Sequence, residues 1–435
     1  MNTRTSRCIA LLALAIACGA AAAASEAQSG FDRERSEVAM IYLALGMKPE
    51  GGIFSYDFNV DFDVRVEPIA FATCVDPLVD RDFDRLSDCA ETGDATYRDR
   101  TATGTSPDNP DTDGDGILDG DEVLGTAAGL DLPALGTNPL RRDILLEYDW
   151  FDLATSECGA TSHRPSAEAI ARVATMFGNA PVRNPDGTTG INIIQDYGQG
   201  GATGGGNVVV GYDANLPGKF DATHAAIKAA NFDPKRLGYF HYVLMAHRYN
   251  KTSNNSGYAE TIGDDVLVTT QCVRNPATVG ATIAHELGHN LGLKHGGFED
   301  CNRKPNYNSI MNYTYQFSGV NTTCDTLSGN GGADFSRGTR PALNEAALDE
   351  TGGVCGGKPV DFNADGTLQA RIAFDLNPAH VAACSGALTK LEDFDDWSNL
   401  TYAGLMDKHG LLKNVQTETE CPPAPSDDDK HAHRA

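Results

Sequence analysis

The sequence predicts an α/β domain with a twisted mixed sheet, preceded by a small, irregular acidic domain. Apolar strand patterns alternate with helical patterns between residue 140 and about residue 410. One strand pattern is almost continuously apolar, which is typical of a strand buried on both faces. Residues 76–122 instead carry 15 Asp and Glu against 4 Arg, and few apolar residues that could form a core.

Four segments have the composition of strands, and two have helical spacing. The strand segments are 143–150, 190–194, 237–246 and 265–269. A helix is predicted over 165–177, where apolar residues recur at helical spacing after a proline. A second helix is predicted from the Asn-Pro pair at 275–276 to about residue 291. These elements predict one large domain over residues 140–410.

The charge of the chain restricts its partners. Its 34 basic and 60 acidic residues give a net charge of −26. Such an acidic chain repels phosphate backbones, which argues against nucleic acid as a partner. Hydrophobic residues make up 41% of the chain, which is typical of a globular protein rather than a disordered one.

The N-terminus has the pattern of a bacterial-type export signal. Arg4 and Arg7 precede 17 uncharged residues, and small residues at 22–24 fit a cleavage site. The run is short for a membrane span, which needs about 20 residues, and no later run is long enough. We therefore predict a signal peptide over 1–24 and a secreted or cell-envelope protein without a transmembrane span. In the alternative interpretation, Cys18 lies in a lipoprotein box and carries a lipid anchor.

Nine cysteines lie outside the predicted signal. In an oxidising compartment they are disulfide candidates. None forms a C-x-x-C pair, which argues against a thiolate zinc site. Because nine is odd, at least one is free or paired elsewhere. We predict a Cys301–Cys324 disulfide, since these residues bracket one compact loop segment.

The acidic block contains two loops with carboxylates at alternate positions. The second loop fits the calcium pattern D-x-D-x-D-G-x5-E, and calcium prefers six to eight oxygen ligands. Its predicted ligands are Asp111, Asp113, Asp115, the carbonyl of Ile117, Asp119 and Glu122. The predicted ligands of an earlier copy, offset by 31 residues, are Asp80, Asp82, Asp84, the carbonyl of Leu86, Asp88 and Glu91.

The two loops differ at the residue that makes the turn. Gly116 permits a sharp turn, whereas Arg85 at the same place predicts weaker binding or a variant geometry. Pro107 and Pro110 lie where an EF-hand needs its entering helix, so that motif is disfavoured. The block instead resembles bacterial thrombospondin type 3 repeats over residues 76–139. That resemblance implies Ca²⁺ bound by stacked loops with little regular structure; the alternative is an acidic, solvated linker.

Three flanking segments carry weaker patterns. Residues 25–75 have no motif from which a role follows. The segment 411–435 is polar and rich in Pro and Asp towards its end, and it predicts a disordered tail. Residues 361–366 (DFNADG) fit either a further calcium turn or a plain Asx turn.

A histidine motif on the second predicted helix reads HELGHNLGLKH over residues 285–295. His285 and His289 leave one face of the helix one turn apart, with Glu286 beside them. Gly292 permits the positive φ that ends the helix and lets His295 return to the same ion. Three neutral nitrogens leave a fourth zinc position open, as catalytic zinc sites require.

This extended motif, H-E-x-x-H-x-x-G-x-x-H, resembles that of the metzincin zinc metallopeptidases. The resemblance implies Zn²⁺ on His285, His289 and His295, with Glu286 as general base in the hydrolysis of a protein or peptide substrate. It is sharp over residues 276–313 and looser over 140–275.

Metzincins also have a Met-turn beneath the zinc ligands, and residues 309–313 (SIMNY) match it with Met311. Tyr313 resembles the tyrosine of astacins and serralysins, which can ligate zinc and stabilise the oxyanion. The string HNLG looks like that of reprolysins, whereas Gly296, after the third histidine, fits none of the familiar subfamily patterns. The subfamily therefore stays open.

The predicted function is that of an exported zinc-dependent endopeptidase. The alternative is a calcium-dependent surface or adhesion module that keeps a non-catalytic metzincin fold. A zinc hydrolase of small molecules is a third option. The intact catalytic positions favour the enzyme, and the peptidase-like motif favours a peptide substrate.

Overall fold

The computed structural model describes residues 78–378, 387–402, 416–417 and 422–425. The predicted signal peptide, Cys18 and residues 25–75 lie outside the described residues. Within the described ranges, no helix is long and apolar enough to cross a membrane.

The described residues form helices of 4 to 15 residues around one principal sheet. The helices are α1 (Asp119–Leu124), α2 (Leu132–Leu135), α3 (Ala167–Gly178), α4 (Ala222–Asn231) and α5 (Pro276–Asn290). The strands are β1 (Asp143–Trp150), β2 (Asp152–Leu153), β3 (Thr161–Ser162), β4 (Asn192–Asp196), β5 (Phe240–Met245), β6 (Gly257–Thr261), β7 (Asp265–Val268), β8 (Leu343–Asn344), β9 (Lys390–Leu391) and β10 (Gln416–Thr417). Single turns of 3₁₀ helix lie at Pro234–Arg236 and Trp397–Asn399.

The principal sheet is mixed, with the strand order β10-β6-β7-β5-β1-β4. β1 is parallel to β4 and β5, and β5 is parallel to β7. β6 is antiparallel to β7, and β10 is antiparallel to β6. The predicted α/β fold with a mixed sheet and a long helix carrying the histidine motif is confirmed.

Both faces of the sheet are covered. On one face, Leu146 and Tyr148 of β1 share a core with apolar residues of α3 and α5. On the other face, Leu145 packs in a second core with apolar residues of α2, α4 and β5. Successive strand residues point to opposite faces, so β1 and β5 are buried at every position.

Local turns shift two of the predicted strands. The segment predicted at 237–246 begins as a strand at Phe240, because residues 237–239 continue the turn that follows Pro234–Arg236. The strand predicted at 190–194 forms at Asn192–Asp196, since Gly190 has φ +105° and still belongs to a turn. Helix α4 and strand β6 were not predicted as elements.

The predicted Cys301–Cys324 disulfide is wrong. Cys324 pairs with Cys355, and Cys158 pairs with Cys272; Cys301 is bonded to another cysteine. The residues after 320 fold back and pack with Cys301 and Cys324 in a small separate core that includes Leu343 and Leu348. Proximity in that core, rather than in the sequence, sets the pairing.

Two segments contain more regular structure than the sequence predicts. The second acidic loop leads into helix α1, where irregular structure was expected. The C-terminal segment was expected to be disordered, but Gln416–Thr417 form a strand on β6 and residues 422–425 are also described. Main-chain pairing with an existing edge orders these few residues without an apolar core of their own.

Candidate active site

Helix α5 begins after a capping residue, and a glycine turn follows its C-terminal end. The Asn275 side chain caps the N-terminus by accepting from the Ala277 N–H, and proline occupies the first turn. From Thr278 to Asn290 every residue is buried between the sheet and the chain that follows. Gly292 then adopts φ +92°, which turns the chain back towards the helix.

This turn brings three imidazoles together. Nε2 of His289 lies 3.2 Å from Nε2 of His285 and 3.2 Å from Nε2 of His295. All three rings are buried. Two nitrogens bound to one tetrahedral zinc at about 2.1 Å would lie roughly 3.4 Å apart, so the observed spacing fits zinc.

The outer nitrogens of two rings fix their orientation. Nδ1 of His285 donates to the Ile310 carbonyl at 2.8 Å, and Nδ1 of His289 donates to the Leu293 carbonyl at 2.7 Å. With Nδ1 protonated, a neutral ring presents the lone pair of Nε2 to its neighbours. Converging lone pairs repel one another unless a cation lies between them. The donor set therefore fits a metal ion, and backbone carbonyls are the usual outer partners of zinc-bound imidazoles.

Glu286 is fully buried beside the imidazoles, where β6 passes closest to α5. A β-carbon at Gly257 would overlap Glu286 Oε1, so only glycine allows this approach. Asn290 clamps the same strand: its side-chain amide donates to the Glu260 carbonyl at 2.8 Å. The Ile262 N–H donates to the His289 carbonyl at 3.0 Å. The edge of the sheet is thereby held against the turn of the helix that carries Glu286 and His289.

The predicted Met-turn lies directly beneath this turn. A β-carbon at Gly288 would overlap the Met311 sulfur, and Met311 is fully buried. The neighbouring Ile310 supplies the carbonyl that orients His285. The Tyr313 ring lies 4.3 Å from the His295 ring and 5.9 Å from the His285 ring, between centroids. Tyr313 therefore borders the three imidazoles.

The residue after the third histidine is glycine for a steric reason. A β-carbon at Gly296 would overlap the carbonyls of Glu299 and Cys301. Lys304, which is fully buried, ties this turn together by donating to the Gly296 carbonyl at 2.8 Å and to Glu299 at 2.9 Å. Burial lowers the pKa of Lys304, while the adjacent carboxylate opposes that shift.

The two acidic loops have the same hydrogen-bond pattern, 31 residues apart. Asp80 accepts from the N–H groups of Phe83 and Arg85, and Asp111 accepts from those of Gly114 and Gly116. Arg85 adopts φ +84°, close to the +93° of Gly116. The arginine therefore keeps the turn that glycine makes in the second loop. The Arg85 guanidinium forms an ion pair with Asp121 of the second loop. Arginine at this position therefore connects the two loops.

Among the described residues, the predicted calcium ligands gather in at least four groups whose ligand oxygens lie within 4.8 Å of one another. These groups are Asp80–Asp82–Asp84, Asp84–Glu91–Asp119, Asp111–Asp113–Asp115 and Asp115–Glu122–Asp143. Asp119 of the second loop thus lies with two carboxylates of the first. Asp88 is occupied by Arg81, whose N–H and Nε both donate to it. The carbonyls of Leu86 and Ile117 belong to buried residues at the bases of their loops.

Burial makes this carboxylate cluster energetically costly. Loss of solvation, followed by repulsion from neighbouring carboxylates, raises the pKa of Asp113 and that of Glu91 to about 8. The same causes raise the pKa of Glu122 well above its usual range. A divalent cation would offset both effects, so the block fits calcium as a ligand set.

Sequence reasoning missed Asp143 and Asn290. Asp143 was assigned only to a strand, and its proximity to the acidic loops depends on how the block folds onto the sheet. Asn290 directly follows the second histidine of the motif. That position was the signal from which a role beside the imidazoles could have been predicted. Residues 361–366 repeat the turn geometry, with the Gly366 N–H donating to Asp361 at 2.8 Å, but Asp361 is only partly buried and Asp365 is exposed.

The fold and the site together indicate a class: an α/β domain with the metal-ligand geometry of a zinc-dependent metalloendopeptidase. A family model described as "Reprolysin (M12B) family zinc metalloprotease" matches residues 239–328. The matched stretch runs from the start of β5 through the three histidines and Met311. The match supports a metzincin-type hydrolase of peptide bonds that uses Zn²⁺. No curated protein matches the chain.

Proposed function

We propose that the chain is an exported zinc endopeptidase in which His285, His289 and His295 hold the metal and Glu286 is the general base. The observation that carries this proposal is the convergence of three Nε2 atoms beside a buried carboxylate at the edge of the sheet. A structural role gives no reason to bury three imidazoles with their lone pairs facing one another. The family match over residues 239–328 supports the same class.

The residues around the metal position each have a step to perform. Zinc, when bound, polarises a peptide carbonyl and lowers the pKa of a water towards about 7. Glu286 accepts the proton of the attacking water and carries it to the leaving amine. The β6 edge aligns an extended peptide through main-chain hydrogen bonds. The Tyr313 hydroxyl donates a hydrogen bond to the developing oxyanion.

The competing function is a non-catalytic binding module with the same fold. Digestion of casein with and without 1,10-phenanthroline, which removes zinc, separates the two classes. The peptidase should be stopped by phenanthroline and restored by added zinc. Absence of cleavage in every form of the chain would favour the binding module.

The substitution Tyr313→Phe should lower kcat with little change in KM. It keeps the ring against His295 and removes only the hydroxyl, so it should affect the transition state more than the bound substrate. Steady-state kinetics on a fluorogenic peptide measures both constants. Tyr315→Phe, in which a buried hydroxyl bonded to the Pro305 carbonyl is lost, is the matched control. Unchanged kcat in Tyr313→Phe would assign Tyr313 to packing.

We also propose that the acidic block, residues 80–122, binds Ca²⁺ and is ordered by it. Six carboxylates lie in the twelve residues 111–122, and several are buried together. Without a cation they repel one another, so binding should be coupled to ordering. Extracellular calcium sites commonly work at about 10⁻⁴–10⁻³ M, which suits an exported protein.

Calcium should protect the acidic block from proteolysis. In the inactive Glu286→Ala background, an added protease should cut between residues 78 and 138 in EGTA but not in Ca²⁺. The double substitution Asp113→Ala with Glu122→Ala should abolish the protection, because it removes buried ligand oxygens from both groups of the second loop. Peptide mapping of the fragments locates the cuts. Equal cutting in both buffers would identify the block as a plain acidic linker.

A further inference from the structure

A carboxylate of the peptidase domain lies inside the acidic block. Asp143 is the first residue of β1, and its carboxylate is grouped with those of Asp115 and Glu122. We propose that Asp143, Asp115 and Glu122 form a divalent-cation site of calcium type that joins the block to the catalytic sheet. This inference rests on the proposed calcium binding by the block and adds a ligand from outside it.

The state of Glu122 points to a bound cation. Glu122 is 2% exposed, neither of its carboxylate oxygens accepts from an N–H group of the described residues, and its side-chain neighbour is the Asp143 carboxyl group. Both neighbours are oriented by main-chain donors: the Asp143 N–H donates to Asp115 at 2.6 Å, and the Asn138 N–H donates to Asp143 at 2.7 Å. A buried carboxylate that accepts no hydrogen bond costs free energy of folding. A cation bound by all three carboxylates would offset that cost and would explain the arrangement.

The surroundings favour calcium over a protein cation. The nearby Arg142 donates to the Arg183 carbonyl at 2.8 Å rather than to these carboxylates. A cavity of about 30 Å³, lined in part by Asp115 and Asp143, leaves room for a water that would add to the oxygen ligands. A hard set of carboxylate oxygens with space for water is typical of Ca²⁺ sites.

The position of Asp143 gives the cation a structural effect on the peptidase. β1 lies between β4 and β5, and Asn192 of β4 donates to the Asp143 carboxylate. A cation held at this point connects the block to the sheet on which α5 packs. Calcium should therefore raise the melting temperature of the whole described domain and not only order the loops.

Calcium binding and thermal unfolding test this site. Equilibrium dialysis with Ca²⁺ counts ions per chain in the Glu286→Ala background, and calorimetry compares Tm with and without added Ca²⁺ at the same zinc concentration. Asp143→Asn should bind one Ca²⁺ fewer and lose most of the calcium-dependent rise in Tm. Glu122→Gln, which changes the block and leaves β1 intact, should do the same if Asp143→Asn folds poorly. Asp152→Asn, an exposed carboxylate in the next strand, is the control and should behave like the unsubstituted protein.

The outcomes separate this inference from the proposed function of the block. Unchanged calcium stoichiometry in both Asp143→Asn and Glu122→Gln, with binding lost in Asp113→Ala, would overturn the Asp143 site and leave the loops as calcium sites. Absence of calcium binding by the unsubstituted chain would overturn both.

A second observation concerns the outer edge of β6. Gln416 and Thr417 of β10 pair antiparallel with Thr261 and Glu260. Further along the same edge, the N–H and the hydroxyl of Ser256 both donate to the Pro422 carbonyl, at 3.0 and 2.8 Å. Asn255 forms an antiparallel bridge with Pro423. The described parts of the C-terminal segment thus contact both ends of the β6 edge.

This edge is the one that borders the catalytic groups. Gly257 lies directly against Glu286, between the two places where the C-terminal segment is bound. The other edge of β6 is already paired with β7. An extended peptide that reaches Glu286 by adding a strand to the sheet must use the edge that the C-terminal segment contacts.

We infer that the C-terminal segment, which contacts this edge through residues 416–417 and 422–423, is an intramolecular competitor of the peptide substrate and keeps the peptidase in a low-activity form. A tethered segment has an effective concentration in the millimolar range. A free segment with a Kd of about 0.1 mM would then reduce access by about tenfold. The inference rests on the proposed peptidase function and names its regulation.

Two truncations test the competitor. A chain that ends at residue 415 should have kcat/KM about tenfold above that of the full chain. A chain that ends at residue 426, which keeps the contacts with β6, should match the full chain. A synthetic peptide of residues 414–425 should inhibit the shorter chain competitively, and Ser256→Ala in the full chain should raise activity partially. If the shorter chain folds poorly, a specific protease site inserted after Lys413 allows cleavage after folding.

Other results would overturn the inference. Equal kcat/KM in both truncations, with no inhibition by the peptide, would make β10 an ordinary structural strand. A lower Tm of the shorter chain without a gain in activity would lead to the same conclusion. If no form of the chain cleaves peptides, the proposed function fails. Binding of a fluorescent 414–425 peptide to the shorter chain would then decide whether the segment occupies the edge, and no binding would refute that as well.

Discussion

Glu286→Ala is expected to lower kcat by about 10²–10⁴-fold while one zinc per chain remains bound. General acid–base assistance by a positioned side chain typically contributes that factor. Glu286 is buried beside the three imidazoles but is not one of the converging donors, so its loss should leave the metal ligands in place. The measurements are steady-state cleavage of a fluorogenic peptide and elemental analysis of the same sample.

Two further variants keep this result interpretable. Glu286→Gln preserves the side-chain volume against Gly257, so equal losses in the Ala and Gln variants exclude a simple cavity effect. Glu168→Gln removes an exposed carboxylate that pairs with Arg172 on α3, and it should leave kcat unchanged. Each variant should be assayed in the full chain and in the chain ending at 415. Turnover at the unsubstituted rate by Glu286→Ala would remove Glu286 from the reaction.

The local parts of the site could be predicted because their geometry follows from short spacings. An i,i+4 pair on a helix shares one face whatever surrounds it, and a glycine three residues later can turn the chain back. The helix, the strand at Asp143–Trp150 and the order of strands along the chain follow from the same kind of local pattern. The acidic loops are equally local, since Asp80 and Asp111 cap turns within five residues.

Contacts between distant parts of the chain could not be predicted. Asp143 reads as the first residue of a strand, and only the docking of the acidic block places it beside Glu122. From the sequence, Cys324 is predicted to pair with Cys301. A core built from residues after 340 instead brings Cys324 to Cys355. Strand β6 is half-buried and short, and its pairing with Gln416 and Thr417 joins residues more than 150 positions apart. Each of these features depends on tertiary packing that no local pattern encodes.

These long-range contacts lie around the histidine motif, which could be predicted from the sequence. Helix α5 and the turn that follows it bring the three imidazoles together, whereas the glycine at 257 matters because a strand passes close to Glu286. The acidic block contacts the beginning of β1, and the C-terminal segment contacts the edge of β6. In the proposals made above, calcium and the C-terminal segment therefore act on the same sheet against which the histidine helix packs.

The substitution His289→Gln should abolish stable zinc binding and, with it, cleavage. His289 Nε2 is the donor that lies 3.2 Å from both of the other two, and its Nδ1 is fixed by the Leu293 carbonyl. Loss of an outer partner of a zinc ligand typically costs 10–100-fold in affinity, so loss of the ligand itself should cost more. Zinc content after dialysis measures the metal directly, and the zinc-dependent rise in Tm measures its coupling to folding.

His224→Gln is the matched control, because His224 is also buried but lies in α4, 3.9 Å from Asp265 and apart from the three imidazoles. The control should retain one zinc per chain even if its Tm falls. One zinc per chain in His289→Gln would mean that these imidazoles do not hold the metal, and the proposed peptidase chemistry would lose its basis.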